Sequence, residues 1–251
     1  MRTLCNDQWQ KIRNFLEGCP DVYLGREADS RQFIEAVLWI SRTGAPWRDL
    51  PPQYGNWNSV YKRFARWCDQ GIWQQMLTHF THDPDMEQLL IDSTVVRAHP
   101  CAAGAAKKDG GQAEQTLGRS RGGFSTKIHI SVDGLGNPLR LILTPGQAGD
   151  SPQAAALIAG YDADYVIGDK AYDSDALREQ LADQGAEAVI PPHPRRKAPA
   201  AYDTHRYKER HLVECFINKI KQFRRVFSRF EKLDTCYMGF LQFVSVLIWL
   251  R

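Results

Sequence analysis

Two apolar runs in this chain end on an aspartate: Leu90-Ile91-Asp92-Ser93-Thr94 and Val166-Ile167-Gly168-Asp169. A carboxylate beside buried Ile and Val is costly unless it is paired, hydrogen-bonded or bound to a cation. In open α/β sheets, reactive groups collect at the carboxyl ends of strands, where the loops splay apart. One such Asp is equally well a cap or turn residue. Two of them, on separate strands of one sheet, point towards a shared cation. No Cys pair or paired His stands nearby, so hard oxygen ligands favour magnesium, with manganese able to substitute, over zinc.

A third carboxylate lies further on, in a segment read as one long helix over about 207–230. At ~100° per residue with Tyr207 as zero, Arg210, Glu214, Asn218, Lys221 and Arg225 fall within about 80° of one another. Val213, Phe216, Ile217, Ile220, Phe223, Phe227 and Phe230 fill most of the remaining circumference. An amphipathic helix with a solvated face would look similar. A single Glu among Arg and Lys also suits a metal ligand flanked by groups that hold phosphate.

The surrounding elements must bring these residues together. Residues 6–80 read as helices. Asn6 or Asp7 caps the first and Ser30 the second, which Gly44 stops; a third begins near Asn58 and a short fourth carries Ile72 to Phe80. The third, with Lys62, Arg63 and Arg66 beside aromatic residues, suits a helix-turn-helix DNA reader, although a small helical bundle fits the same pattern. The polar stretch 79–85 marks the boundary between a domain over 1–82 and a second over 86–251. Beyond it the periodicity changes to strands: 89–96, a hairpin over 126–132 and 139–143, then 165–169 and 188–190. Helices over 151–160 and 174–184 separate the later strands, and an apolar helix closes the chain. This order predicts an α/β layered domain with a mixed sheet. The Ala-, Gly- and Lys-rich stretch 100–123 reads as a flexible insertion.

Composition sets limits. With 43% hydrophobic and 24% charged residues in 251, neither a disordered chain nor a fibre is expected. The net charge of +3 conceals an asymmetry: residues 81–192 carry 9 Lys and Arg against 16 Asp and Glu, and residues 193–251 carry 13 against 5. Six scattered cysteines, with no CxxC, argue against a disulfide framework or a zinc site. The longest apolar run, Met238 to Leu250, has 13 residues and includes Gln242 and Ser245, too few to span a bilayer. With no apolar signal core at the N-terminus, a reducing cytoplasm is the expected location.

These residues carry a family resemblance. Asp92 and Asp169 lie 77 positions apart, and Glu214 follows 45 further on. The set resembles the Asp-Asp-Glu (DDE) triad of bacterial insertion-sequence transposases. Tyr207-x2-Arg210-x3-Glu214-x6-Lys221 matches the Tyr-Arg-Glu-Lys signature of that group. Gly168-Asp169-Lys170-Ala171-Tyr172-Asp173-Ser174, Gly118 to Gly123 before Thr126-Lys127-Ile128-His129, Leu143 to Gln147, and Arg42-Thr43-Gly44-Ala45-Pro46-Trp47-Arg48-Asp49-Leu50-Pro51 are similar to its further motifs. Together they point to the family of insertion sequence five, over nearly the whole chain.

The resemblance implies a ribonuclease H-like mixed-sheet catalytic domain preceded by a small all-helical DNA-binding domain. It also implies Mg²⁺-dependent cleavage and joining of double-stranded DNA at transposon ends and target, with two metal ions at Asp92, Asp169 and Glu214. Tyr207, Arg210 and Lys221 are then expected to contact the transposon end. Arg225, Arg119, Arg121, Lys127, Lys62, Arg63 and Arg66 are further candidates for DNA contact. A homodimer or larger assembly on DNA, no membrane association, and a cytoplasmic, nucleoid-associated location follow from the same comparison. Many relatives are encoded in two overlapping frames, and Ala105-Ala106-Lys107-Lys108 would permit a slippery codon run there. A catalytically silent DNA-binding derivative stays open as an alternative. A haloacid-dehalogenase-type phosphohydrolase is disfavoured, because Thr94 stands where its second acidic residue belongs.

Overall fold

The structure is a computed structural model that describes residues 3–251 apart from 107, 108, 110, 112, 113 and 121. Arg121 and the Lys107-Lys108 pair therefore lie outside the described residues. The chain opens with helices α1 (Asn6–Glu17), α2 (Glu27–Thr43), α3 (Trp57–Asp69) and α4 (Ile72–Phe80). Their caps differ in part from expectation. Cys5, not Asn6 or Asp7, caps α1, its sulfur accepting from the Gln8 amide. Helix α2 starts ahead of Ser30, which is buried and donates its hydroxyl to the Leu24 carbonyl. Gly44 ends α2 as expected, at φ +67°, a conformation with little cost for glycine alone. Asn56 caps α3, its Oδ1 accepting from the amides of Asn58 and Ser59.

The sheet follows: β1 (Gln88–Ala98), β2 (Gly118–Ser120), β3 (Gly123–Val132), β4 (Pro138–Pro145), β5 (Tyr165–Ile167), β6 (Glu187–Val189) and β7 (Ser228–Arg229). Its main strands lie side by side as β4, β3, β1, β5, β6, with β2 also on β3 and β7 on β1. The β1–β3 and β3–β4 pairs are antiparallel, and β1–β5 and β5–β6 are parallel, so the sheet is mixed as the element order predicts. Helices α5 (Ala154–Ile158) and α6 (Asp175–Asp183) cover one face; α7 (His211–Lys221), α8 (Arg224–Phe227) and α9 (Asp234–Trp249) cover the other. This is the ribonuclease H-like α/β arrangement with a helical N-terminal region. The stretch 100–123, expected to be a flexible insertion, contains a 3₁₀ turn at Pro100–Ala103 and strand β2.

The side-chain alternation of β1 sorts residues between the two cores. Leu89 and Ile91 pack with α5 and α6, whereas Leu90 and Val96 pack towards α7 and α9. Asp92 shares the parity of Leu90 and so faces α7. Helix α9 is buried on nearly every side because α3 and α4 pack on its far face. Phe64 and Phe240 stack at 4.4 Å between centroids, and Trp47 lies 5.9 Å from Phe240. One apolar core is thus continuous from the N-terminal helices through α9 to the sheet.

The largest departure from expectation is the long helix over 207–230. Residues Arg206–Arg210 form a 3₁₀ turn, α7 ends at Lys221, Phe223 is extended (φ −89°, ψ 110°), and α8 leads into β7. Ser228 and Arg229 pair in parallel with Arg97 and Ala98, so strand pairing takes the end of the predicted helix.

Candidate active site

The β1–β5 register sets Leu90 opposite Ile167, so two residues further along, Asp92 in the middle of β1 and Asp169 just past the end of β5 come level. Gly168 permits this approach: a Cβ there would lie 3.1 Å from Ile91 Cγ1 and 3.3 Å from Tyr172 Cδ2. Asp169 caps the following 3₁₀ turn, its Oδ1 accepting from the Ala171 amide at 2.9 Å. Asp92 Oδ1 accepts from the Ser93 amide at 2.7 Å.

Between β1 and α7 stands the Arg210 guanidinium. Its Nη2 donates to Asp92 Oδ2 at 2.7 Å, and its Nη1 donates to Glu214 Oε1 at 2.5 Å. Arg210 Nε is buried and finds no partner among the described residues. Burial pushes the Asp92 carboxyl above its ordinary range; Arg210 and the Ser93 amide oppose this, and the charges of Asp169 and Glu214 add to it. Burial alone would lower the Arg210 guanidinium, but Asp92, Tyr207, Glu214 and Asp169 together hold it above its usual value. One cation therefore bridges two carboxylates and feels the charge of a third, Asp169. Glu214 itself is exposed on α7, whose opposite side buries Val213, Phe216, Ile217 and Ile220.

Among the described residues no three acidic, His or Cys side chains are yet close enough to enclose a metal ion. The donor chemistry nevertheless fits a hard divalent cation: all-oxygen ligands, one of them desolvated, with more negative charge than one guanidinium neutralises. Asp92, Asp169 and Glu214 are the residues that would hold it.

The other candidates separate into distinct groups. Tyr207 is half-buried and stacks edge-on against Tyr202 at 5.6 Å, and Lys221 is half-buried at the end of α7. Lys62 and Arg66 are exposed on α3, and Arg119 is exposed with its guanidinium 5.7 Å above the Phe124 ring. Arg63 is not available in the same way. It lies 4.4 Å over Phe33 and 5.2 Å over Trp67 and donates to Tyr23 O and Ser30 Oγ, tying α3 to α2. Lys127 is turned inward, donating to Ala148 O at 2.6 Å and Asp150 Oδ1 at 3.1 Å. The helix break removes Arg225 from the stripe. It is 6% exposed, and its Nε and Nη2 lie 2.7 and 2.6 Å from Glu231 Oε1. A guanidinium so committed is a structural cation.

Sequence reasoning missed the supports of the site. Asp173, four residues after Asp169, has a fully buried side chain that accepts from Arg178 Nε at 2.8 Å, Arg196 Nη1 at 3.1 Å and the His193 amide at 2.7 Å. These bonds fasten the loop after Asp169 to the basic segment 193–196. On the opposite face of β1 from Asp92, fully buried His129 bonds Thr144 Oγ1 at 2.8 Å, and its Nδ1 lies 3.5 Å from Asp150. The only signal for Asp173 was its place in the 168–174 motif, which drew notice for Asp169, and Asp150 lies outside every motif noticed.

A mixed sheet with Asp92 and Asp169 side by side on neighbouring strands, and Asp92 joined through Arg210 to Glu214 on a covering helix, makes an acidic site on an α/β fold. Two family models match the chain: "Transposase DDE domain" over residues 83–241 and "Putative transposase of IS4/5 family" over residues 4–77. The chain belongs to the DDE transposases of the IS4/5 family. It is 46% identical over 130 residues to "Putative transposase for insertion sequence element IS6501" of Brucella ovis, spanning all of that protein and 51% of this chain. It is also 42% identical over 109 residues to the uncharacterized protein y4sN of Sinorhizobium fredii, covering 87% of that protein and 43% of this chain. A crystal structure of a pre-cleavage Mos1 transpososome aligns with 98% of this chain and 97% of its own at 10% identity and a TM-score of 0.28, too loose a likeness to transfer geometry. No helix among the described residues is long and apolar enough to cross a membrane.

Proposed function

We propose that this transposase binds the terminal inverted repeats of its element and cuts and joins DNA strands with Mg²⁺ held by Asp92, Asp169 and Glu214. The observation that carries the reading is the meeting of Asp92 and Glu214, from a strand and a helix, on the Arg210 guanidinium, with Asp169 level beside Asp92. Bound divalent ions would activate an attacking oxygen and stabilise the leaving one in an in-line displacement. Glu214, on the helix that covers this face of the sheet, has the side-chain length to turn towards Asp92. Arg210, once released from these carboxylates, has a planar fork suited to a phosphate of the cleaved strand. Lys221, two helical turns beyond Glu214 on the same side of α7, supplies a point charge further along the strand. Residues 1–82, with Lys62 and Arg66 exposed on α3, are the DNA-reading part, and residues 86–251 the catalytic part. Two protomers holding two ends would complete the assembly.

The test uses purified protein, Mg²⁺ and DNA carrying the element's ends. Asp92→Asn, Asp169→Asn and Glu214→Gln are each expected to abolish strand cleavage and transfer while retaining binding. Undiminished transfer in one of these variants removes that residue from the triad. Binding should weaken steeply with salt, because phosphate contacts release counterions.

A further inference from the structure

Helix α7 presents two rows of side chains beside its buried face, and the metal site uses only one. At ~100° per residue, Glu214 and Lys221 lie about 40–60° to one side of Asn218, and His211, Gln222 and Cys215 about 20–60° to the other. The first row is charged and reaches Asp92 through Arg210. The second holds no carboxylate, Lys or Arg, and His211, Cys215, Asn218 and Gln222 are all exposed. Val213, Phe216, Ile217 and Ile220 anchor the far side of the helix in the core, so this row cannot turn inward. His211 Nδ1 already faces the Lys208 carbonyl at 2.9 Å. The side-chain amides of Asn218 and Gln222 make no hydrogen bond among the described residues. Gln222 keeps helical angles at the cap of α7 (φ −68°, ψ −17°), so the row runs to the end of the helix. There it opens on a cavity of about 640 Å³ that Arg42 and Arg251 also line, with no Asp or Glu around it.

Each row selects a chemistry. The charged row suits metal and phosphate, and phosphates are the same at every nucleotide. A primary amide carries a donor and an acceptor side by side, which matches N7 and the N6 amino group of adenine on the major-groove edge. We propose that Asn218 and Gln222 read adenines of the transposon end next to the cut, so that α7 sets part of the sequence specificity of the reaction as well as its chemistry. The inference rests on the proposed DNA cleavage at this site and deepens it, adding base recognition to the phosphate contact of Lys221. It also gives a role to Asn218, which the metal site does not use. Four residues advance ~6 Å along a helix and DNA rises ~3.4 Å per base pair, so the two adenines should lie one to two base pairs apart.

The test measures binding of the full chain, at fixed salt, to duplexes carrying one element end in which each A·T pair is replaced in turn by G·C. At one position near the cut the unaltered chain should lose affinity about fivefold to 150-fold, the range of one bidentate base contact. Asn218→Ala should bind the natural and altered duplexes equally there, and Gln222→Ala should do the same at a second adenine one to two base pairs away. Placing 7-deazaadenine, which lacks the N7 acceptor, at the Asn218 position should cost the unaltered chain about twofold to tenfold, the worth of one hydrogen bond, and the alanine variant nothing. Both alanine variants should keep their melting temperature, their Mn²⁺ affinity and the slope of affinity against salt, because an amide releases no counterion. Discrimination unchanged at every position in both variants overturns the inference and leaves the proposed function standing. A fall in Mn²⁺ affinity in Asn218→Ala overturns it by making that residue part of the metal site, and a shallower salt slope overturns it in favour of a phosphate contact. Failure of the unaltered chain to bind any of the duplexes defeats the proposed function and the inference together.

Discussion

Arg210 stands where a cation shared by Asp92 and Glu214 would stand, so replacing it with Gln should weaken the fold and strengthen divalent-ion binding at once. The Asp92 contact dominates the first effect: the two side chains are 11% and 22% exposed and meet at 2.7 Å. Removing one partner of a fully buried pair costs about 3–5 kcal/mol. Partial exposure here reduces that to about 2–3 kcal/mol. The Glu214 contact, with that carboxylate 51% exposed, adds under about 1 kcal/mol. A divalent ion entering the unaltered site must displace the same guanidinium. Its loss therefore returns part of that energy to the ion, and at about 1.4 kcal/mol per tenfold the affinity gain should be at least about tenfold. Urea unfolding without divalent ions measures the first effect; Mn²⁺ titration by calorimetry or electron paramagnetic resonance measures the second. Strand transfer should fall in the variant, because the phosphate-facing fork is gone. Unchanged or weaker Mn²⁺ binding in Arg210→Gln would refute the argument that the guanidinium occupies the place of the metal.

Further expectations follow from the supports around the site. Burial holds His129 neutral, with its pKa lowered to about 4 from an ordinary 6.5, against the pull of Asp150. The unfolded chain therefore takes up a proton first. Stability present above pH ~6.5 should fall by about 3 kcal/mol as the pH drops towards 4. In urea unfolding at several pH values, His129→Gln should lose that share of the slope. Arg225→Met should cost about 3–5 kcal/mol by leaving Glu231 buried and unpaired, and Arg225→Met with Glu231→Leu markedly less. Equal losses in the single and double variants would exclude this cause. Gly239→Ala would set a Cβ 2.6 Å from Cys68 Sγ and 3.1 Å from Trp73 Cδ1. Overpacking there should cost about 1–3 kcal/mol, seen in a thermal melt as a fall of about 2–4 °C per kcal/mol.

The candidate residues of the proposed site are legible in the sequence because their signals are local. An Asp at the end of an apolar β run and a Glu among cations at helical spacing can be read from the neighbouring residues alone. The same holds for the mixed sheet, since the change from helical to strand periodicity near residue 85 and the alternation of strands with helices survive in the linear order. The break at Phe223 was not legible. Residues 222–230 keep a helical pattern, and only the free edge of β1 at Arg97 and Ala98 draws Ser228 and Arg229 into the sheet. With that break went the expected roles of Arg225 and, by a similar inward turn towards Asp150, of Lys127.

The sequence by itself determined which side chains could carry the reaction, because residue type and short-range spacing define the donors. The tertiary structure alone decided which of them share a site. It set Arg210 between Asp92 and Glu214 across 118 positions of chain. It also ran one core from Phe64 through Phe240 to the sheet and buried the Arg225–Glu231 pair. Those outcomes depend on strand register and on which faces find apolar partners. Both are set by contacts between segments distant in the chain, and no local pattern records them.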